Sequence, residues 1–345
     1  MKLTYRIAAA AAASLILGLS GCAQKTNSEA EPLYSSEISE VSSLVSLPDS
    51  SENGESAVKE ITLKDSLGHT VSVPLNPRIA CLYGSYSEAW LLAGGELAGV
   101  TQDAVEEREL DVGEAEIVGT VKEPNAEQII ALEPDLVILS ADIAAQQEMT
   151  DVLENAGLSC LSYRVDTFDD YAFMMEQFCL AADNPQAYEA SVTRVGEEIA
   201  AAKALGQEGL AKAGKPPRVL LIRAFSTGIK AKTDDELAGV ILSELGCENI
   251  AGQYPSMLED LSLEEVITAD PDFIFVTTMG DEEKALAYLD SVIDGSPAWS
   301  ELRAVKEGNY TVLPKELFHY KPNQRWGESY QHLGKILYPE EAWNP

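Results

Sequence analysis

Glu127-Gln-Ile-Ile-Ala-Leu-Glu-Pro-Asp-Leu-Val-Ile-Leu-Ser140 has a counterpart further along the chain, Glu264-Glu-Val-Ile-Thr-Ala-Asp-Pro-Asp-Phe-Ile-Phe-Val-Thr277. In each copy the apolar residues first recur at helical spacing (Ile129, Ile130; Val266, Ile267). Past the proline they run without interruption, as in a strand covered on both faces. Proline stops the helix and biases the residue before it toward extended backbone. Both helix starts carry a capping-box pattern, with Asn125 three residues before Gln128 and Ser262 three before Glu265. Each copy therefore predicts a short helix, a Pro-Asp turn and a buried strand, and the pair predicts two lobes of like construction.

The first lobe, 60–183, opens with two alternating segments around Ser66-Leu-Gly68, a hairpin pattern, with His69 an exposed residue beside the turn. Parallel strands are expected at 78–83, 97–101, 135–140 and 158–164, with a loop at 84–88 and a helix at 88–93 closed by Gly94-Gly95. Strands alternating with helices imply a parallel sheet with right-handed crossovers, in which ligands gather at the carboxyl ends of the strands. That rule makes Tyr83, Ser85 and Tyr86 cleft candidates, together with 141–144. Core packing with an edge-bound hydroxyl is the competing reading of the tyrosines.

Within the connecting segment 184–210, the stretch from Pro185 to about Gly206, rich in Ala, Glu and Val, reads as one long helix without a strong breaker before Gly206, apart from Gly196. It would act as a strut and keep lobe motion small. The second lobe, 215–345, has strands expected at 218–224, 229–232, 272–277 and 310–313, and a helix at 235–245 stopped by Gly246. Its last loop, Phe318-His-Tyr-Lys-Pro-Asn-Gln-Arg-Trp-Gly-Glu328, opens a helix running to Leu337. The loop concentrates Phe318, His319, Lys321, Arg325 and Trp326 in a chain otherwise poor in bases and aromatics, which suits a large anionic or conjugated ligand. Packed aromatics at a helix start are the plainer alternative. Arg223, Lys230 and Met279 join the ligand-facing candidates. The expected fold class is α/β, two Rossmann-like lobes with parallel sheets joined by a single long α-helix.

The 345 residues suffice for two domains, and 46% are hydrophobic. A net charge of −33 argues against nucleic acid, whose phosphates are bound mainly by neutralising them. Residues 1–21 read as a signal peptide: Lys2 and Arg6, an apolar run at 8–19, then Leu19-Ser-Gly-Cys22. This ending resembles a bacterial lipobox, which implies lipidation of Cys22. The following 22–59 reads as a flexible linker holding the body off the membrane. Cys81, Cys160, Cys179 and Cys247 lack zinc-ligand spacing and sit in apolar surroundings, as buried thiols do.

Lipobox, spacer, Asp65-Ser-Leu-Gly-His-Thr-Val-Ser-Val-Pro74, Asn76-Pro-Arg-Ile79, Asn125-Ala-Glu-Gln-Ile-Ile-Ala-Leu-Glu-Pro-Asp135, the long helix and Leu245-Gly-Cys-Glu-Asn249 occur here in a telling order. Together they resemble the substrate-binding lipoproteins of ABC importers for iron-siderophores, haem and cobalamin, the class III periplasmic binding proteins. The resemblance implies two lobes clamping a metal chelate, no intrinsic cofactor, no catalysis, and an ABC permease as partner. It also implies an acidic docking residue on each lobe, at Glu127 and at Glu264, with Glu265 an adjacent alternative. Only three histidines, His69, His319 and His332, speak against a bare zinc or manganese site. An anionic siderophore would use Arg223, Lys230, Lys321 or Arg325, whereas cobalamin or haem would use His319, Met279 or Trp326. The siderophore is favoured. A secreted α/β metal-dependent enzyme is the rival from another class, but G-x-S-x-G, H-E-x-x-H and a Gly-rich phosphate loop are all missing.

Overall fold

A computed structural model describes residues 59–259 and 261–338. The signal peptide, Cys22 and the linker up to residue 58 lie outside the described residues. The chain enters through an antiparallel hairpin, β1 (Glu60–Lys64) and β2 (Thr70–Pro74). The first lobe then runs β3 (Ile79–Cys81), α1 (Gly84–Leu92), β4 (Leu97–Val100), α2 (Asp103–Glu106), β5 (Glu116–Ile117), α3 (Ala126–Ala131), β6 (Leu136–Ser140), α4 (Ala144–Asn155), β7 (Cys160–Tyr163) and α5 (Phe168–Ala181). Its five strands are all parallel, in the order β5-β4-β3-β6-β7. Asp65 ties the hairpin down by accepting from the backbone N–H groups of Leu67, His69 and Ser162 at 2.8–3.0 Å, and His69 itself stays exposed.

A helical run then joins the lobes: α6 (Pro185–Tyr188), a π-helical turn (Glu189–Thr193) and α7 (Arg194–Ala213). The second lobe holds β8 (Arg218–Phe225), β9 (Gly228–Lys232), α8 (Leu237–Glu244), β10 (Glu248–Asn249), α9 (Leu263–Ala269), β11 (Phe273–Thr278), α10 (Glu282–Asp294), α11 (Arg303–Lys306), β12 (Tyr310–Val312), α12 (Lys315–Phe318) and α13 (Trp326–Leu337). Its parallel strands are ordered β10-β8-β11-β12, and β9 pairs antiparallel with β8. The fold is the expected one, two parallel-sheet α/β lobes on a long helix.

The repeated module folds alike in both lobes. Asn125 caps α3 by accepting from the Gln128 N–H at 3.2 Å, and Ser262 caps α9 through the Glu265 N–H at 3.3 Å. Each helix reverses through a Pro-Asp turn into a central strand whose residues are almost all buried, β6 and β11. Each helix therefore begins at the edge of the lobe where its strand ends.

Two boundaries depart from the sequence reading. The connecting helix does not stop at Gly206 but runs on to Ala213, ending at Gly214 with φ 74°. Gly206 and Gly209 are close-approach positions: a Cβ on them would lie 3.0 Å from Leu245 Cδ2 and 2.5 Å from the Tyr338 ring. The expected loop at 84–88 is instead the first turns of α1. Its cap comes from Asp103, whose carboxylate accepts the Gly84 N–H at 2.7 Å from a distant part of the chain.

One buried apolar cluster runs unbroken from the first lobe (Tyr86, Trp90, Tyr163, Phe178) through α7 (Val195, Ile199, Ala202) to the second (Leu221, Leu237, Trp326, Leu333). Two further clusters cover the opposite faces of the sheets. The lobes are thus welded through α7 and the α13 helix packed on it.

Candidate functional site

The carboxyl ends of both sheets meet at a seam between the lobes. On the first-lobe side Tyr83 is the residue before α1, half-buried, with its ring edge-on to Tyr86 at 4.9 Å. Burial, and next the nearby Asp103 carboxylate, push its phenol up to about 12, so it is a neutral hydroxyl at physiological pH. Beside it, past β6 and β7, Asp142 and Arg164 pair at 2.6 Å, both well exposed to solvent.

On the second-lobe side Arg223 leaves β8 beside Lys230 of β9 and Thr277 of β11, its direct partners in the sheet. Arg223 is paired with Glu236, the residue before α8. Burial raises the Glu236 carboxyl above the usual carboxylate range, and the cations Arg223 and Lys232 only partly offset this. Lys230 is exposed and has no ion-pair partner among the described residues. Lys315 donates from Nζ to Gly280 O at 2.8 Å, just past the end of β11, where Met279 is exposed. His319 lies among these groups. Burial first, then Arg223, Lys315 and Lys321, pull its imidazole down to about 4, so the ring is neutral with its lone pair available.

The seam is made of the expected Ser85 and Lys321 together with Arg108, Glu88, Asn323 and Asp166, which the sequence did not single out. Arg108, carried just after α2, pairs with Glu88 of α1 and lies under the Tyr320 ring, 5.3 Å from its centroid. Asn323, fully buried with φ 51°, donates from Nδ2 to Ser85 O at 2.9 Å and to Glu88 Oε2 at 2.7 Å. Lys321 Nζ reaches Asp166 Oδ1 of the first lobe at 3.2 Å. These bonds latch the last loop of the second lobe onto the first. The one available signal was an Asn in a Pro-Asn-Gln turn, a residue type that tolerates left-handed backbone. Arg108 stands in the acidic run Glu106-Glu-Arg-Glu109, which gives no local sign of a contact with the second lobe.

The expected ligand-facing residues therefore divide. Arg223, Lys230, Met279, His319 and Lys321 gather at the second-lobe end of the seam, with Tyr83 on the first-lobe side. Tyr86 is fully buried and donates to Tyr163 O at 3.0 Å, which is the packing alternative realised. Ser85 is buried beneath Asn323. Phe318 and Trp326 are core residues, against His332 and Phe168 respectively, because Phe318 is the last residue of α12 and Trp326 the first of α13. Arg325 turns to Glu328 at 2.9 Å on the surface. A cavity of about 220 Å³ lined by Thr233, Asp234, Leu242, Ser243, Cys247 and Asn249 lies apart from this site, behind α8. Among the described residues no group of three or more His, Cys, Asp or Glu is arranged to hold a bare metal ion.

Two such lobes with facing strand ends define a solute-binding architecture. Residues 79–317 match the model of the periplasmic binding protein family, and the chain belongs to that family. No curated protein matches the chain in sequence. Among solved structures, SirA of Staphylococcus aureus complexed with staphyloferrin B is similar with TM-score 0.64 at 19% identity, over 80% of this chain and 98% of that one. The petrobactin-binding protein YclQ of Bacillus subtilis gives 0.63 at 19%, over 83% and 99%. The periplasmic haem-binding protein RhuT of Roseiflexus sp. RS-1 gives 0.60 at 22%, over 77% and 99%. At these identities the likeness is one of fold.

Proposed function

We propose that this protein captures an anionic metal chelate, a ferric siderophore before haem or cobalamin, in the seam between its lobes and delivers it to an ABC permease. The observation that carries the reading is the convergence of Arg223, Lys315 and Lys321 on His319, with Lys230 unpaired beside Arg223, in a chain of net charge −33. Arg223, Lys315 and Lys321 are each held by a protein carboxylate, Glu236, Glu282 and Asp166, which leaves Lys230 as the cation of this group that no described carboxylate pairs; guanidinium and ammonium groups suit the carboxylate or catecholate oxygens of a ligand. Neutral His319 favours a second reading, since an imidazole free at physiological pH is an axial donor for haem or a corrinoid. Lipidation at Cys22 would tether the protein outside the cytoplasm, with 22–59 as the spacer.

Delivery is assigned to Glu127 and Glu264, both exposed in the first turns of α3 and α9. Glu265 is the poorer candidate, because its carboxylate already accepts from Ser256 Oγ at 2.7–2.8 Å. In host cells dependent on this protein for uptake, Glu127→Ala with Glu264→Ala is expected to abolish transport and leave the affinity for the chelate unchanged. Transport at the wild-type rate would remove the docking assignment.

A further inference from the structure

The two docking helices are held from behind by the same device, built once in each lobe. In the first, Asp135 accepts the Arg78 N–H at 2.7 Å, its own N–H returns to Arg78 O at 2.8 Å, and the Arg78 guanidinium donates to Leu132 O at the end of α3. In the second, Asp272 accepts the Arg218 N–H at 2.8 Å, its N–H returns to Arg218 O at 2.7 Å, and Arg218 Nη1 donates to Ala269 O at the end of α9 at 2.6 Å. Leu132 and Ala269 occupy the same place, two residues before the proline.

Such a clamp has a physical reason. Helices of six and seven residues are too short to persist alone, so their ends must be held from outside. Directly before each proline stands a non-glycine residue with left-handed backbone, Glu133 at φ 46° and Asp270 at φ 42°. That conformation is sparsely populated and further disfavoured before proline. The guanidinium also places positive charge at the negative end of the helix dipole. Arg303 braces the second copy further, donating from its N–H to Asp270 Oδ1 at 3.1 Å and pairing with Asp272.

Resting on the docking reading of Glu127 and Glu264, we propose that Arg78 and Arg218 are positioning residues for the permease: each fixes the helix whose opposite end presents a docking carboxylate, and together they set the spacing of the two. A membrane partner with two cationic patches reads that spacing, so the clamps are its gauge. Arg78 is exposed and Arg218 only half-buried, so neither supports a core and their variants are expected to fold.

The test is the distance between spin labels at Glu127→Cys and Glu264→Cys in the full chain, with Cys22→Ser and Cys247→Ser to remove competing thiols. A control pair, Val152→Cys with Tyr288→Cys, sits at exposed positions on α4 and α10, outside the two repeated modules themselves. Arg78→Met and Arg218→Met are expected to widen the distance distribution of the docking pair and leave the control pair as in the parent, and Arg78→Lys and Arg218→Lys to restore part of the sharpness. A docking distribution unchanged by the Met variants overturns the proposal, and so does equal widening of both pairs, which would mark general loosening. If the clamp behaves as expected but Glu127→Ala with Glu264→Ala transports normally, the docking reading fails and the clamp stands as a structural device alone.

Discussion

His319 is held neutral by its surroundings, and this gives it a measurable signature in stability. Its folded pKa is lowered from 6.5 to about 4, so the folded state resists the proton that the unfolded chain accepts. The stability it contributes is complete above about 6.5 and is lost as pH falls toward 4. At about 1.4 kcal/mol per unit the loss amounts to roughly 3 kcal/mol. His319→Gln is expected to flatten that part of the pH dependence in urea titrations, while a variant as steep as the parent would show that other groups dominate. Glu236 acts in the opposite direction: its raised pKa favours the protonated folded state, so its share is present at low pH and lost as pH rises through the folded value. Arg108 offers a second test. The Arg108–Glu88 pair is partly buried and Asn323 would still donate to Glu88, so Arg108→Met should cost about 1–3 kcal/mol by denaturant unfolding. The residue types at this site could be read from sequence, since Arg223, Lys230, His319 and Lys321 stood out by composition. Their pairing could not. Glu236 and Asn323 matter through contacts with distant segments, and nothing local marks a carboxylate as buried or an amide as a latch.

At the scale of elements, the repeat was the legible feature, because a helical period, a Pro-Asp break and an apolar run are all local signals. The start of α1 was illegible for the converse reason: the group that caps it is Asp103, far along the chain. Trp326 and Phe318 misled because aromatic density looks the same at a binding surface and at a helix docking into a core. The end of α7 was missed for a related cause. Glycine costs a helix about 1 kcal/mol relative to alanine, so Gly206 reads as a stop when only propensity is weighed. Here contact outweighs propensity. Gly209→Ala is accordingly expected to destabilise the protein despite its better helix propensity, by about 1–3 kcal/mol of overpacking against Tyr338, measured as a lower melting temperature. A higher melting temperature would mean that Tyr338 moves aside without cost.

For the whole molecule, the continuous core through α7 and α13 and the latch of Arg108, Glu88, Asn323, Lys321 and Asp166 argue for lobes that move little against each other. Ligand binding is then an event of side chains at the seam rather than of hinge closure. The radius of gyration from small-angle scattering should be nearly the same with and without ligand, and a large contraction on binding would show that the free protein is open and closes about a hinge. On the proposed reading charge would divide the two tasks of the surface, with Glu127 and Glu264 exposed for a cationic partner and Lys230 beside Arg223 for an anionic cargo. The central claim is tested most directly by equilibrium titration of the protein with ferric carboxylate, catecholate and hydroxamate siderophores, haem and cobalamin, followed by fluorescence quenching. Saturable binding of an anionic ferric chelate is expected, weakened by Arg223→Ala and by Lys230→Ala. Failure of every chelate to bind, or binding indifferent to both substitutions, would contradict it.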